Sequence, residues 1–169
     1  MAGYSRPAVA RIFSVRALGG LLFGWDIGAT SYVLTQLQSA EYSGVSWSGG
    51  VARSSFLQGL ITSGGVAGAL IGAAIVFRVA DAIGRRRELI LAALLYIAGA
   101  VLEVSGSFGT SEATGLALLL LGRLVYGAAC GFAMHGAPAY IAEMSPASIR
   151  GTLVSLKEAA IVLGICLGY

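Results

Sequence analysis

The chain has 169 residues, 57% of them hydrophobic and 11% charged, with a net charge of +3 and a mean hydropathy of +0.83. A water-soluble domain of this size carries about a quarter charged residues, and so small a net charge is no footprint for nucleic acid. The composition fits an all-α, polytopic membrane helix bundle whose solvent is largely lipid.

Residues 1–16 hold Arg6, Arg11 and Arg16 and no acid. They read as a cytosolic tail, because the apolar stretch behind them is too long and too polar for a signal-peptide core. Five apolar segments follow, at 17–37, 56–79, 88–105, 114–139 and from 152 onward, each near the ~20 residues that cross ~30 Å of hydrocarbon. The fifth reaches Tyr169 without a polar flank. The expected layout is therefore a tail at 1–16 and, at 17–169, a transmembrane domain that breaks off inside a fifth helix.

Loop charges set the orientation. Arg78 and Arg85–Arg87 surround the connection between the second and third segments, and Arg150 and Lys157 follow the hinge after the fourth. The other side holds only Arg53. The amino terminus and these two connections are expected in the cytosol.

Glycines at four-residue spacing (Gly20, Gly24 and Gly28; Gly64, Gly68 and Gly72; Gly127 and Gly131) form stripes along which helix backbones can touch. Cys130 and Cys166 lie in apolar runs and read as buried thiols rather than a disulfide or metal ligands.

Charges inside the apolar segments carry the chemistry. Asp26 lies ~15 Å into the first helix and Arg123 ~14 Å into the fourth, counted from the opposite face. Across ~30 Å of hydrocarbon they reach one depth, where each alone costs roughly 2.5–3.5 kcal/mol, so a mutual pair is expected. Thr30 and Tyr126, at helical spacing, offer each charge a polar neighbour. Desolvation favours the neutral form of the acid and a guanidinium favours its carboxylate, so a pair that opens and closes can bind and release a proton. A permanent ion pair that only fixes packing is the other reading.

Glu158 lies ~9 Å into the fifth helix, with Ser155 on its face; substrate contact, a basic partner and snorkelling to the cytosol all stay open. His135 reads as packed or interfacial. In ADAIGRRRE, Gly84 allows the left-handed turn that a sharp hairpin between two helices needs, while Asp81 and the arginines can bond to helix ends or to each other. Glu143 and Arg150 in PAYIAEMSPASIRG can join Arg85 or Arg86 in a cytosolic salt-bridge cluster that breaks when the protein changes state.

These residues resemble the sugar porter family of the major facilitator superfamily. The matches are LLFGWD in the first helix, D-x-x-GRRR at 81–87, GR-x-x-x-G at 122–127 and P-x-Y-x-x-E-x-x-P-x-x-x-RG at 138–151. AMHGAPAYIAE and RGTLVSLKEAAIVLG look most like the plant and algal D-xylose–proton symporter-like branch, which has plastid and vacuolar members. The resemblance implies a twelve-helix, alternating-access transporter of which this chain is the first five helices of the amino-terminal half. It implies Asp26 as proton-coupling carboxylate, Arg123 as its partner, Phe23 near the sugar, and Glu143, Arg150 and Arg85 in a cytosolic gate. Two departures stand out. Phe77 replaces a usual glycine, and Glu158 replaces a glutamine that commonly bonds the sugar, with Ile165 at a polar position further along.

The function expected is proton-coupled symport of a hexose or pentose, with the proton as coupling ion and no cofactor or metal. A proton-independent facilitator and a non-transporting sensor fragment are the alternatives. The expected partners are a monosaccharide, the bilayer and a carboxy-terminal half. Without that half, the 169 residues alone are expected to be inactive. Plasma membrane, vacuole and plastid envelope all remain open as locations. No nucleophile–base pair, phosphate loop or metal cluster points to an enzyme.

Overall fold

A computed structural model describes residues 6–39, 41–109 and 111–169. They form helices α1 (Arg6–Gln38), α2 (Ser48–Arg53), α3 (Ser55–Ile83), α4 (Arg85–Ser107), α5 (Glu112–Met144) and α6 (Arg150–Gly168). Four of these, α3 to α6, are long and apolar enough to cross a membrane. At 33 residues α1 has the length too, and its less apolar make-up (Asp26, Thr30, Ser31, Thr35) reflects the polar site it carries. The chain is an integral, multi-pass membrane protein.

The helices outrun the apolar segments because hydrogen-bonded backbone continues past the hydrocarbon limit. α1 reaches back to Arg6, so most of the expected 1–16 tail is helical; the side chains of Arg6, Arg11 and Arg16 fall outside the described residues. α5 runs through Pro138 to Met144 instead of stopping near it, as membrane helices allow. Two starts are capped by serines. Ser54 accepts a hydrogen bond from the Leu57 amide at 3.4 Å, and Ser111 accepts one from Thr114 at 3.3 Å, each satisfying an orphan first-turn donor.

Packing follows the glycine stripes. α1 lies along α6, and α3 and α4 both lie along α5. Gly24 sits against the Ile161 carbonyl, and Gly164 returns the contact against Leu21 and Trp25. Gly68 and Gly72 meet the carbonyls of Leu124 and Ala128, while Gly127 and Gly131 meet those of Gly65 and Ala69. Lipid tails give helices no hydrophobic reason to associate, so this backbone-to-backbone contact supplies the dispersion that holds them. A core of Val76, Ala80, Ala92, Tyr96, Tyr126, Ala129, Cys130, Phe132 and Ala133 joins α3, α4 and α5. A second cluster, around Leu37, Trp47, Val51 and Ile61, closes the far end. There the Trp47 indole donates to the Gly106 carbonyl at 3.1 Å.

Gly84 alone separates α3 from α4, with φ 79° and ψ 150°. That region is open essentially only to glycine, and it is the extended mirror region rather than the left-handed helical turn expected.

Candidate functional site: a buried ion pair between three helices

Arg123 projects from the middle of α5 and Asp26 from the middle of α1. Nη1 of Arg123 donates to Oδ1 of Asp26 at 2.6 Å, and the two side chains are only 7% and 14% exposed. Nε of Arg123 donates to the Ile61 carbonyl of α3 at 3.2 Å, so one guanidinium ties three helices. Gly65 of α3 leaves the space for it, facing both Nη2 of Arg123 and Oδ2 of Asp26.

The expected polar neighbours are present but serve the backbone. Thr30 donates to the Asp26 carbonyl at 2.6 Å, and Tyr126 donates to the Leu22 carbonyl at 3.2 Å. Thr30, four residues along, reaches the carbonyl of its own turn more readily than a carboxylate aimed across the helix interface, and Tyr126 reaches across to α1. Asp26 is thus held by Arg123 rather than by hydroxyls.

Asp26 faces cavities on two sides. One, of about 320 Å³, is lined by Phe23, Thr30, Thr62 and Arg123 among others. It places the half-buried Phe23 ring beside the ion pair. The other, of about 380 Å³ between α1, α4 and α5, is lined by Trp25, Tyr96, Glu103 and Tyr126. A smaller void of about 80 Å³ joins Asp26, Glu103 and Arg123. The larger groove of about 590 Å³ between α1 and α4, with Arg86 on its wall, is lined mainly by leucine and alanine and holds no acid.

Glu158 stands apart. It lines none of the cavities around Asp26, its side chain is 59% exposed, and its Oε1 meets Nζ of Lys157 at 2.7 Å. Lys157, expected among the loop charges, is a buried residue of α6, 2% exposed. Its stem passes Gly20, and its ammonium lies 3.9 Å from the Met134 sulfur. Cys130 is buried as expected, whereas Cys166 is exposed.

The hinge cluster has a different membership from the one expected. Arg85 is its hub, with Nε 3.3 Å from Glu143 and Nη2 3.7 Å from Asp81. Its Nη1 lies 3.7 Å from Glu88. Arg150 does not join; its Nη2 donates to the Ser145 carbonyl at 3.4 Å and holds its own turn. Arg86 makes no ion pair among those described. Glu88 is fully buried and lies 2.7 Å from Nδ1 of His135. The Phe77 ring stands edge-on to that imidazole at 5.2 Å, in place of the close backbone contact a glycine gives.

Sequence reasoning missed Glu88, Glu103 and the burial of Lys157. The rule that singled out Asp26, a charge inside an apolar helix, applies equally to Glu103 in AVLEV. Glu88 opens the third segment and reads as its boundary, and Lys157 counts among the charges that follow the hinge.

Residues 12–169 match the family described as Sugar (and other) transporter. The chain is 51% identical to D-xylose-proton symporter-like 2 of Arabidopsis thaliana, over 98% of this chain and 31% of that protein. It is 52% identical to the chloroplastic D-xylose-proton symporter-like 3 of the same plant, over 98% and 28%. Among solved structures it superposes on the proton:xylose symporter XylE of E. coli with a TM-score of 0.81 at 30% identity, covering 97% of this chain and 36% of that one. The chain thus spans about a third of the length of these relatives.

Proposed function

The chain belongs to the sugar transporter family, and from that premise we propose that the protein carrying it moves a monosaccharide, a pentose or hexose, across a membrane by alternating access, with a proton as coupling ion. The carrying observation is the Asp26–Arg123 pair, buried among three helices and open to a cavity that Phe23 also lines. A proton taken by Asp26 neutralises the carboxylate and releases the guanidinium, which loosens the tie between α1, α3 and α5. Sugar shifts the equilibrium only through its different affinity for the two states.

In this reading residues 17–169 supply one wall of the transport path, since substrates in such folds bind near the midplane between two repeats, and a carboxy-terminal half supplies the other. Phe23 faces the sugar from beside the ion pair, and Glu158, paired with Lys157 outside those cavities, reaches it from the exposed side of α6. Arg85 with Asp81 and Glu143, beside the Gly84 turn, forms the cytosolic gate, and the amino terminus is cytosolic. The xylose–proton symporter named among the similar structures supports both the substrate class and the coupling ion.

The test is Asp26→Asn in proteoliposomes holding the whole transporter. Uphill accumulation driven by a proton gradient is lost while downhill exchange persists. Accumulation that survives the substitution overturns the coupling role, and sugar uptake by the 169 residues alone overturns the need for a second half.

A further inference from the structure

Glu103 is a second buried acid beside the ion pair, and nothing in the proposed cycle uses it. It projects from α4 against Gly122 of α5 and shares two cavities with Asp26, the smaller of which also contains Arg123. Its Oε1 is buried with no hydrogen-bond partner. The hydroxyls facing that space are already engaged, that of Thr30 with the Asp26 carbonyl. The hydroxyls of Tyr96 on α4 and Tyr126 on α5 donate to the carbonyls of Gly19 and Leu22 at 3.2 Å each. The charged groups that face Glu103 are therefore Asp26 from α1 and Arg123 from α5.

Two carboxyls and one guanidinium in a low-dielectric site cannot all be charged without leaving one negative charge unpaired, which hydrocarbon makes costly. Like carboxylates sharing a site keep a proton between them. Glu103 sits against Gly122, and Asp26 bonds to the next residue, Arg123, so the two acids lie at nearly one depth beside the same guanidinium.

We propose that Glu103 is the second proton-carrying carboxyl of this site, handing its proton to Asp26 and taking over the charge of Arg123. In the resting state Asp26 is the carboxylate paired with Arg123, and Glu103 is the neutral acid. In the transfer, the O–H bond of Glu103 breaks and an O–H bond forms on Asp26, leaving Glu103 as the carboxylate. The triad has zero net charge before and after, so the Asp26–Arg123 contact opens without adding charge to the bilayer. Reprotonation of Glu103 as Asp26 releases its proton to the cytosol restores the start without a state in which both carboxyls are charged. This inference rests on the proton-coupled reading of Asp26.

The experiment uses the whole transporter in proteoliposomes, with Asp26→Asn as the reference. Loss of accumulation in Asp26→Asn establishes the coupling site independently of Glu103; its retention removes both proposals together. Given that loss, Glu103→Gln lowers proton-driven sugar accumulation by about tenfold, an ordinary coupling factor, while sugar exchange without a gradient persists. Glu103→Asp restores part of the accumulation. Accumulation and its pH profile unchanged in Glu103→Gln overturn the proposal. An infrared readout on the unsubstituted protein needs no variant to fold. The protonated-carboxyl band at rest shifts when glutamate is carbon-13 labelled, and a band that does not shift overturns the assignment.

Discussion

Nη1 of Arg123 and Oδ1 of Asp26 meet at 2.6 Å across 97 residues of chain, in the middle of two apolar helices. The contact makes each charge tolerable where neither is tolerable alone, and it places the labile joint of α1, α3 and α5 at one protonatable oxygen. Arg123→Leu leaves a buried carboxylate unpaired and costs about 3–5 kcal/mol. Asp26→Asn costs less, because Nε of Arg123 keeps the Ile61 carbonyl. The double substitution recovers part of the loss. Thermal unfolding in detergent measures the cycle, and strictly additive single effects would show the two residues to be uncoupled.

Helix propensity and packing make opposite forecasts for Gly24. On propensity alone, Gly→Ala inside a helix gains about 0.8–1 kcal/mol. Here the added methyl runs into the Ile161 carbonyl, and overpacking costs about 1–3 kcal/mol. Gly59 meets nothing within 4 Å. Gly24→Ala therefore lowers the unfolding midpoint and Gly59→Ala leaves it level or raises it; shifts of the same sign would refute the α1–α6 contact.

Burial ranks the hinge acids. Glu88, 0% exposed, is hydrogen-bonded to His135 and lies within ion-pair reach of Arg85, so Glu88→Ala costs about 1–3 kcal/mol. The Asp81 side chain is 97% exposed at 3.7 Å from Arg85, and Asp81→Ala leaves stability unchanged, as exposed pairs do. A differential-scanning comparison in detergent decides it, and equal losses would contradict the ranking.

An exposed acid carries hidden structural weight at Lys157. Its ammonium is buried in α6 with Glu158 as its ion-pair partner. Glu158→Ala therefore lowers the unfolding midpoint although the glutamate itself is largely exposed, and adding Lys157→Met restores it. Failure of the second substitution to rescue the first would separate the two residues.

Much of this was legible in the sequence. Hydropathy alone marks five apolar segments, because hydrocarbon thickness dictates their length. The charge rule marks Asp26 and Arg123, because an unpaired charge cannot stay there. The glycine stripes at 24 and 28 and at 68 and 72 announce close backbones, and the structure puts a facing carbonyl against each. The Gly84 turn was visible as punctuation, though not its extended mirror-region ψ.

What the chain alone determined was how deep each group lies, since depth follows from rise per residue and membrane thickness. Azimuth came only from the tertiary structure. In lipid, both the packed and the outward faces of a helix are apolar, so periodicity does not reveal which side of α4 turns Glu88 to His135 and Glu103 to Asp26. Nor does it show which side of α6 buries Lys157. Those choices were made by backbone contacts between helices, and they convert a lone ion pair into a site with a second acid beside it.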